Sequence, residues 1–342
     1  MRKVLSIGLG LFLVPALMFG GCGDDDKKDE EPVSGPKAIE FKADNAEALA
    51  EIGVGTVNLF ANLGKGFWKI LDAIPLTKES ASLSKETVND LGNIGFCLGG
   101  ESNLTWTDTD DDGVLSGGDS AELALVDCAW DEEDLTTLSN GSFDLSFSTV
   151  DTTSAVVEFA MNFTGVEQVE RDVVTREYVG LFTADADWES RSDVLIRFLV
   201  NVDDYENPTI GATFIEDGQT QVEFGCFELG YAFDADDDSF TLSQPFGIYR
   251  IPRAGFLSIV SSGLPEDDLI FPTGDYPESG KMEFQAEAIV APCAALGLEE
   301  ESVEVNDSSL SLTATGGGGV SLSGEDATGD PYEIDTTWDE LS

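Results

Sequence analysis

The sequence predicts a mainly β protein, an antiparallel β-sandwich or barrel-like domain that carries an N-terminal helical segment. From about residue 94 onward, short runs alternate apolar and polar residues with a period of two, as half-buried strands do. Many of the 36 glycines fall between those runs, where turns are expected. Hydrophobic residues make up 42% of the 342-residue chain, so a core can form despite the acidity of the sequence.

The helical segment is the first predicted element, because its apolar residues recur at helical spacing. The pattern predicts a helix over residues 44–72, with Asp44 or Asn45 as its N-cap. Gly64 and Gly66 each weaken such a helix by about 1 kcal/mol relative to alanine, so they indicate close packing or a break at that point. We expect the helix to pack on the sheet; a helix lying on a membrane is the less favoured alternative.

The strands follow in chain order and define the domain organisation. We expect a signal peptide over 1–21, an acidic flexible tether over 22–37, the helical segment over 38–93 and the β domain over 94–342. A sub-domain boundary could fall at 203–208, where the sequence reads DDYENP. The predicted strands are 103–107, 143–147, 157–163, 178–183, 194–202, 209–215, 220–233, 246–251, 256–260, 282–290, 309–315 and 331–338.

The charge balance excludes several functional classes. The chain has 67 acidic and 17 basic residues, a formal net charge of −50 and no histidine. Nucleic acid is excluded as a partner, because binding phosphates requires clustered cations. A Ser-His-Asp triad, a Cys-His pair and a histidine-ligated zinc are also excluded.

The N-terminus carries an export signal that ends in a cysteine. Basic residues 2–3 precede the apolar stretch Val4–Phe19, and Gly20-Gly21 stands directly before Cys22. This pattern resembles a bacterial lipoprotein signal, in which the cysteine is lipidated and begins the mature chain. It implies that the membrane is a partner through a lipid anchor at Cys22; a secretory signal with a chance cysteine is the alternative.

The residues after Cys22 bear on localisation. Gly23 follows the cysteine where an aspartate would resemble an inner-membrane retention signal, so we expect an exported outer-membrane lipoprotein. The acidic run 23–31 resembles the export tags of some surface-exposed lipoproteins, although a plain solvated spacer fits it equally well.

The chain has five cysteines, an odd count that is awkward for an exported protein. Lipidation of Cys22 leaves Cys97, Cys128, Cys226 and Cys293. An oxidising compartment then predicts two disulfides, and four cysteines allow three connectivities. Chain order favours pairing Cys97 with Cys128 and Cys226 with Cys293.

Residues 108–119, DTDDDGVLSGGD, form the one motif with clear chemistry. They resemble an EF-hand calcium loop in register over its full length. Gly113 stands where the loop turns sharply, and Leu115 stands where an apolar side chain would anchor it in the core. The expected Ca²⁺ ligands are the carboxylates of Asp108, Asp110, Asp112 and Asp119, the backbone carbonyl of Val114, and Ser116 through a water.

Two features qualify this prediction. Asp119 replaces the usual glutamate, and its shorter side chain makes bidentate closure of the loop harder, so affinity could be weaker. Residues 104–107 indicate a strand entering the loop, whereas the exit at 121–126 is ambiguous between helix and strand. We expect a strand–loop–strand in which calcium is structural; an acidic turn without an ion is the alternative.

Short motifs across the mature chain resemble uncharacterised β-rich lipoproteins of Gram-negative bacteria. They are Asn45-Ala46-Glu47-Ala48, Cys97-Leu98-Gly99-Gly100, the aspartate loop ending Gly118-Asp119, Cys128, and the close at 336–341, TTWDEL. The resemblance supports a Cys97–Cys128 pair around the loop. It implies no known activity and no catalytic residues.

The function expected from these observations is non-enzymatic. A calcium-stabilised surface lipoprotein would act in binding, adhesion or envelope structure, with an unidentified surface ligand or protein partner. Two alternatives remain: a carbohydrate-active hydrolase that uses paired carboxylates, and a carrier of hydrophobic ligands inside a closed sheet. A cleft with two nearby carboxylates would favour the hydrolase, and an enclosed apolar cavity would favour the carrier.

Overall fold

The structure, a computed structural model, has one large antiparallel sheet and one long N-terminal helix, so the predicted fold class is confirmed. It describes residues 37–76, 88–97, 99–129, 138–169, 172–190, 192–200, 212–216, 218–234, 239–251, 254–260, 264–272, 276–286 and 306–341. Cys22 and the predicted tether lie outside the described residues.

The elements confirm the two periodicities of the sequence. Helix α1 spans Ala46–Ala73, and the short helix α2 spans Trp338–Leu341. A single 3₁₀ turn covers Pro265–Asp267. The strands are β1 Val88–Asn93, β2 Gly99–Thr107, β3 Ser120–Ala129, β4 Leu138–Val150, β5 Ser154–Val169, β6 Asp172–Ser190, β7 Asp193–Val200, β8 Ala212–Glu216, β9 Gln219–Phe233, β10 Phe240–Ile251, β11 Gly255–Val260, β12 Leu269–Phe271, β13 Lys281–Gln285, β14 Ser309–Gly316, β15 Gly319–Glu325 and β16 Pro331–Thr337.

All 16 strands belong to one sheet, and every pairing between named strands is antiparallel. The main path runs from β1 to β7 in chain order, then through β9, β10, β11, β13, β14 and β15 to β16. Strand β8 pairs with β6 and β9, and β12 pairs with β10. Among the described strands, β1 and β16 therefore form the two ends of the sheet.

Helix α1 lies at the centre of the core. The ring of Phe60 contacts Phe182 on β6, Phe198 on β7 and Phe227 on β9. Farther along the helix, Trp68 contacts Trp188 on β6. Because each position from Ile52 to Ala61 is buried and the contacts come from several strands, the sheet curves around the helix.

The helix glycines mark close packing, and α1 is continuous through them. A Cβ atom at Gly53 would lie 2.5 Å from the Phe284 ring, and one at Gly64 would lie 2.5 Å from the Tyr231 ring. At Gly66 the distance to the Phe96 ring would be 2.0 Å. Bulky rings from β9, β13 and the β1–β2 connection therefore reach the helix backbone, which explains why the sequence tolerates the helix-propensity cost of glycine.

Polar contacts fix the helix at two points. Asn45 precedes α1 as the N-cap residue, but its side-chain oxygen accepts a hydrogen bond from the backbone of Lys42 at 2.8 Å and does not cap the helix. Inside the core, the Tyr249 hydroxyl donates to Thr56 Oγ1 at 2.7 Å. Thr56 in turn donates to the Ile52 carbonyl at 2.8 Å, so this buried polar pair is satisfied.

The structure differs from the sequence-based boundaries at several points: β12 was not predicted, and the ambiguous exit of the aspartate loop at 121–126 belongs to strand β3. The sheet begins at Val88, so the range 38–93 assigned to the helical segment also contains β1. Strand β15 was not predicted, because only Val320 and Leu322 of its residues are buried apolar ones. The sub-boundary at 203–208 lies outside the described residues, and the flanking strands β7 and β8 both pair with β9 in the same sheet.

Candidate metal centre

The aspartate loop joins β2 to β3, so the predicted strand–loop–strand setting is confirmed. The two strands pair in register up to Thr107 and Ser120, directly beside the loop. The loop therefore closes a regular hairpin, and its ends are held at a fixed separation by the sheet.

Three of the predicted ligands converge. One carboxylate oxygen from each of Asp108, Asp110 and Asp112 lies within 4.8 Å of the others. Asp108 is fully buried, Asp112 is half-buried and Asp110 is exposed. Desolvation, with further contributions from Asp112 and Asp108, raises the pKa of the Asp110 carboxyl. This group of hard oxygen donors could hold a metal ion.

The loop backbone folds around these carboxylates. Asp108 Oδ2 accepts a hydrogen bond from the backbone N–H of Gly113 at 2.7 Å. Asp112 Oδ1 accepts one from the backbone N–H of Val114 at 2.9 Å. Asp111 and Gly113 have φ angles of 58° and 81°, and only the glycine adopts this left-handed region without steric cost. The turn that the sequence assigned to Gly113 is therefore present.

Asp119 has a different position from the other three aspartates. Its side chain is 1% exposed, and it is not in the group whose oxygens lie within 4.8 Å of one another. Oδ1 accepts a hydrogen bond from the Thr109 backbone at 2.8 Å, and Oδ2 accepts one from Ser116 at 2.9 Å. In this structure Asp119 closes the loop by joining its entrance to its exit.

Thr109 is a loop residue whose role sequence reasoning missed. Besides its backbone bond to Asp119, its hydroxyl donates to the Gly118 carbonyl at 2.9 Å. A hydroxyl residue directly after the first aspartate is the only signal for this contact, and it is too common to identify the role. Ser116 also contributes through its backbone N–H, and its side chain is half-buried.

Leu115 attaches the loop to the core, as the sequence predicts. Its side chain is 3% exposed, and its backbone N–H donates to the carbonyl of Pro75 at 2.8 Å, just beyond the end of α1. On the other side, the Gly118 N–H donates to the Phe147 carbonyl on β4 at 2.7 Å. The loop therefore connects the β2–β3 hairpin to the helix end and to a third strand.

The predicted Cys97–Cys128 disulfide is present, with the two Cα atoms 5.2 Å apart. It ties the hairpin at the end opposite the aspartate loop, so the hairpin is fixed at both ends. The Cys226 backbone lies in β9, whereas Cys293 lies outside the described residues. The second predicted pair thus stays a prediction.

Outside the loop, the carboxyl of Glu51 on helix α1 has a raised pKa. Burial, with a further contribution from the Glu47 charge, raises the pKa of Glu51 to about 7. Its Oε2 atom is buried and accepts no hydrogen bond. A single carboxyl of this kind does not make the acid–base pair that hydrolysis would require.

Comparison with known proteins gives no relative: no family model, curated protein or solved structure matches the chain. In the described part of the chain, no helix is both long and apolar enough to cross a membrane. The functional argument therefore rests on the sequence features and on the geometry of the loop.

Proposed function

We propose that this chain is a lipid-anchored outer-membrane or cell-surface lipoprotein that is stabilised by calcium and serves a binding, adhesion or structural role in the envelope. The N-terminal signal that ends at Cys22 supports the anchor. The Cys97–Cys128 disulfide supports an exported, oxidising location.

The calcium proposal is carried by the convergence of Asp108, Asp110 and Asp112. Bringing three carboxylates within 4.8 Å concentrates negative charge, and Asp108 is removed from water altogether. A cation offsets that repulsion, and Ca²⁺ prefers a set of six to eight oxygen ligands. The Val114 carbonyl, Ser116 and water would supply the remaining oxygens of the proposed site.

The surroundings of the loop favour a structural role for the ion. Leu115 contacts the end of α1 through Pro75, and Gly118 contacts β4 through Phe147. An ion held by Asp108, Asp110 and Asp112 would therefore stabilise three elements at once. The loop also lies between two strands, and this setting differs from the paired helices that open in calcium sensors.

Calcium titration of the purified chain tests the proposed ion. We expect a binding heat by calorimetry and a rise in the free energy of unfolding of about 2.7 kcal/mol when calcium exceeds its dissociation constant by about a hundredfold. Asp108→Ala and Asp112→Ala should each abolish both effects. The matched control is Asp326→Ala, in the acidic turn between β15 and β16, which should leave the calcium response unchanged. A chain that shows neither heat nor stabilisation at millimolar calcium contradicts the proposal.

Membrane fractionation tests the proposed anchor. In a Gram-negative host, the chain should partition with the outer membrane, and Cys22→Ala should release it into the soluble envelope fraction, since no lipid can then be attached. Asp326→Ala is the control, because it leaves both the signal and the Cys97–Cys128 disulfide intact. Equal partitioning of the Cys22→Ala chain and the native chain would count against lipidation.

The two alternative functions gain less support from the described part of the chain. The core side of the sheet is filled by α1, so the helix takes the place that a carrier would leave for its ligand. On the outer face, Glu283 and Glu333 lie in one row separated by β14 and β15. At about 4.8 Å per strand spacing, their Cα atoms are roughly 14 Å apart. Glu283 also forms an ion pair with Lys281, so the two glutamates do not form an isolated carboxylate pair of the kind that glycosidases use.

A further inference from the structure

Among the described strands, β16 ends the sheet with a regular edge that no further strand covers. It pairs with β15 through seven consecutive residue pairs without a register shift. The Trp338 N–H donates to the Gly318 carbonyl at 2.8 Å, and this bond shows which residues of β16 form hydrogen bonds with β15. In an antiparallel pair, hydrogen-bonded residues alternate with non-bonded ones, so Tyr332 and Ile334 direct their backbone groups toward β15, whereas Glu333 and Asp335 direct theirs away.

The residues at both ends of β16 agree with this assignment of inward and outward backbone groups. Pro331 falls in the outward set, where the absence of an N–H removes no bond from the ladder. Thr337, also in the outward set, donates its N–H to Glu340 Oε2 at 3.1 Å. Glu333 and Asp335 thus offer the outward N–H and C=O groups of the edge, and no described strand pairs with them.

The opposite end of the sheet lacks this regularity. Strand β1 has a register shift between Asp90 and Gly92, and the Gly92 N–H donates to its neighbour's side chain, Asp90 Oδ1, at 2.9 Å. Bulges and local side-chain bonds of this kind protect sheet edges against pairing. Strand β16 has no bulge, so it is the better template for an added strand.

The two faces of β16 differ in chemistry. Glu333 and Asp335 are exposed on the outer face. Tyr332 and Ile334 are half-buried on the inner face, where they pack against the edge of the core. Since side chains of an added strand lie beside those of its neighbour on the same face, a matching strand needs basic residues outward and apolar residues inward.

A groove beside the edge is also acidic: glutamates 283, 325 and 333 line it together with one cation, Lys281, which pairs with Glu283. It has a volume of about 700 Å³ and lies over β13–β16. Glu283, Ser311, Ser323 and Glu333 lie side by side across the four strands. The two serines in the middle are small, so they form the floor of the groove. The buried Ser311 hydroxyl has no hydrogen-bond partner. Long basic side chains from a strand added to β16 could reach this groove.

We propose that the β16 edge binds an extended segment of a partner protein in which basic and apolar residues alternate. Pairing of two copies through β16 is disfavoured, because antiparallel pairing would set the carboxylates Glu333 and Asp335 against those of the other copy. The inference names a partner class for the proposed binding role. It depends on neither calcium nor the lipid anchor, so its failure would leave the tests of those features unaffected.

Binding of a synthetic peptide to the full chain tests this inference. The probe alternates lysine and valine over seven residues, the length of β16. Its controls are a peptide of the same composition with lysines and valines in separate blocks, and an alternating peptide with N-methylated backbone amides. By fluorescence anisotropy at physiological salt, we expect both controls to bind at least about tenfold more weakly, because they lose the pattern or the ladder hydrogen bonds.

Two substitutions at one position separate hydrogen bonding from charge. Glu333→Pro removes an outward N–H without breaking a bond to β15, and it should weaken binding by about tenfold or more. Glu333→Gln removes only the charge and should weaken binding by about threefold. Thermal unfolding shows whether Glu333→Pro is folded; if it is not, Asp335→Pro and the methylated peptide make the same comparison.

Several results would overturn the inference. Equal binding of the alternating and block peptides, or equal losses in Glu333→Pro and Glu333→Gln, would mean that charge alone attracts the probe. Absence of binding would exclude the edge as a docking surface for such segments. Self-association of the chain that disappears in Glu333→Pro would show that the edge binds a second copy.

Discussion

Two hairpins of this molecule end in acidic turns, yet the two turns are built differently. The β2–β3 loop buries Asp108 and Asp119, and it contacts α1 and β4. In the turn between β15 and β16, Oδ1 of Asp326 accepts hydrogen bonds from the Thr328 and Asp330 backbones at 2.8 and 3.0 Å. These hydrogen bonds join residues within the turn itself. The β2–β3 loop is therefore distinguished by burial and by contacts outside the hairpin as well as by its five aspartates, against two in the β15–β16 turn.

The two hairpins also differ at the ends opposite their turns. Cys97 and Cys128 tie β2 to β3, whereas β16 is the last strand of the sheet and pairs with β15 alone among the described strands. The first hairpin is therefore constrained at both ends and inside the sheet. The second has an open edge, which suits it to partner binding.

The largest expected effect comes from removing the disulfide. Cys97→Ala combined with Cys128→Ala should lower the free energy of unfolding by about 4 kcal/mol, because the unfolded chain regains the entropy of a loop with a sequence separation of 31 residues. Denaturant unfolding in the presence of calcium measures the change. A difference below about 1 kcal/mol would show that the sheet alone fixes this hairpin.

Substitution of Asp119 should have a smaller effect on stability than loss of the disulfide, because it changes hydrogen bonds of the aspartate loop alone. Asp119 uses both oxygens to accept backbone hydrogen bonds, from Thr109 and Ser116. Asp119→Asn places an amide NH₂ against one of those N–H groups, so we expect a loss of about 2 kcal/mol in unfolding free energy. Denaturant unfolding without calcium checks this, because metal binding then makes no contribution.

Asp326→Asn is the matched control and the smallest expected effect. Asp326 Oδ1 alone accepts the bonds from Thr328 and Asp330, and asparagine keeps that oxygen, so the loss of unfolding free energy should be smaller than that in Asp119→Asn. Hydrogen bonds from Thr328 lower the pKa of Asp326, so its contribution to stability is present above the ordinary value of 3.8 and is lost as the pH falls through the lowered pKa. Equal losses in Asp119→Asn and Asp326→Asn would contradict the distinction between the two turns.

Much of the fold follows from local pattern. Alternation at Phe143, Leu145 and Phe147 predicted a strand because inward residues of β4 all meet the same core. Helical spacing predicted α1 for the same reason. Strand β15 escaped prediction, since glycine and serine fill most of its positions and its place is decided by pairing with β14 and β16.

In the candidate metal site, too, some features could be predicted from the sequence and others could not. The spacing of Asp108, Asp110 and Asp112 predicted their convergence, because alternate residues of a tight loop point toward one centre. The bonds from Asp119 to Thr109 and Ser116 were not predictable, since they depend on how the two ends of the loop approach each other.

Composition and local spacing were enough to predict the fold class, the helix, the position of the aspartate loop and an exported chain, because each of these depends on a short segment or on overall residue content. Three features came only from the folded chain: the sheet curves around α1, Asp108 and Asp119 are buried while Asp326 is not, and β16 is the last of the described strands. These features depend on contacts between residues far apart in the chain, and burial in the shared core is the physical reason that such contacts form.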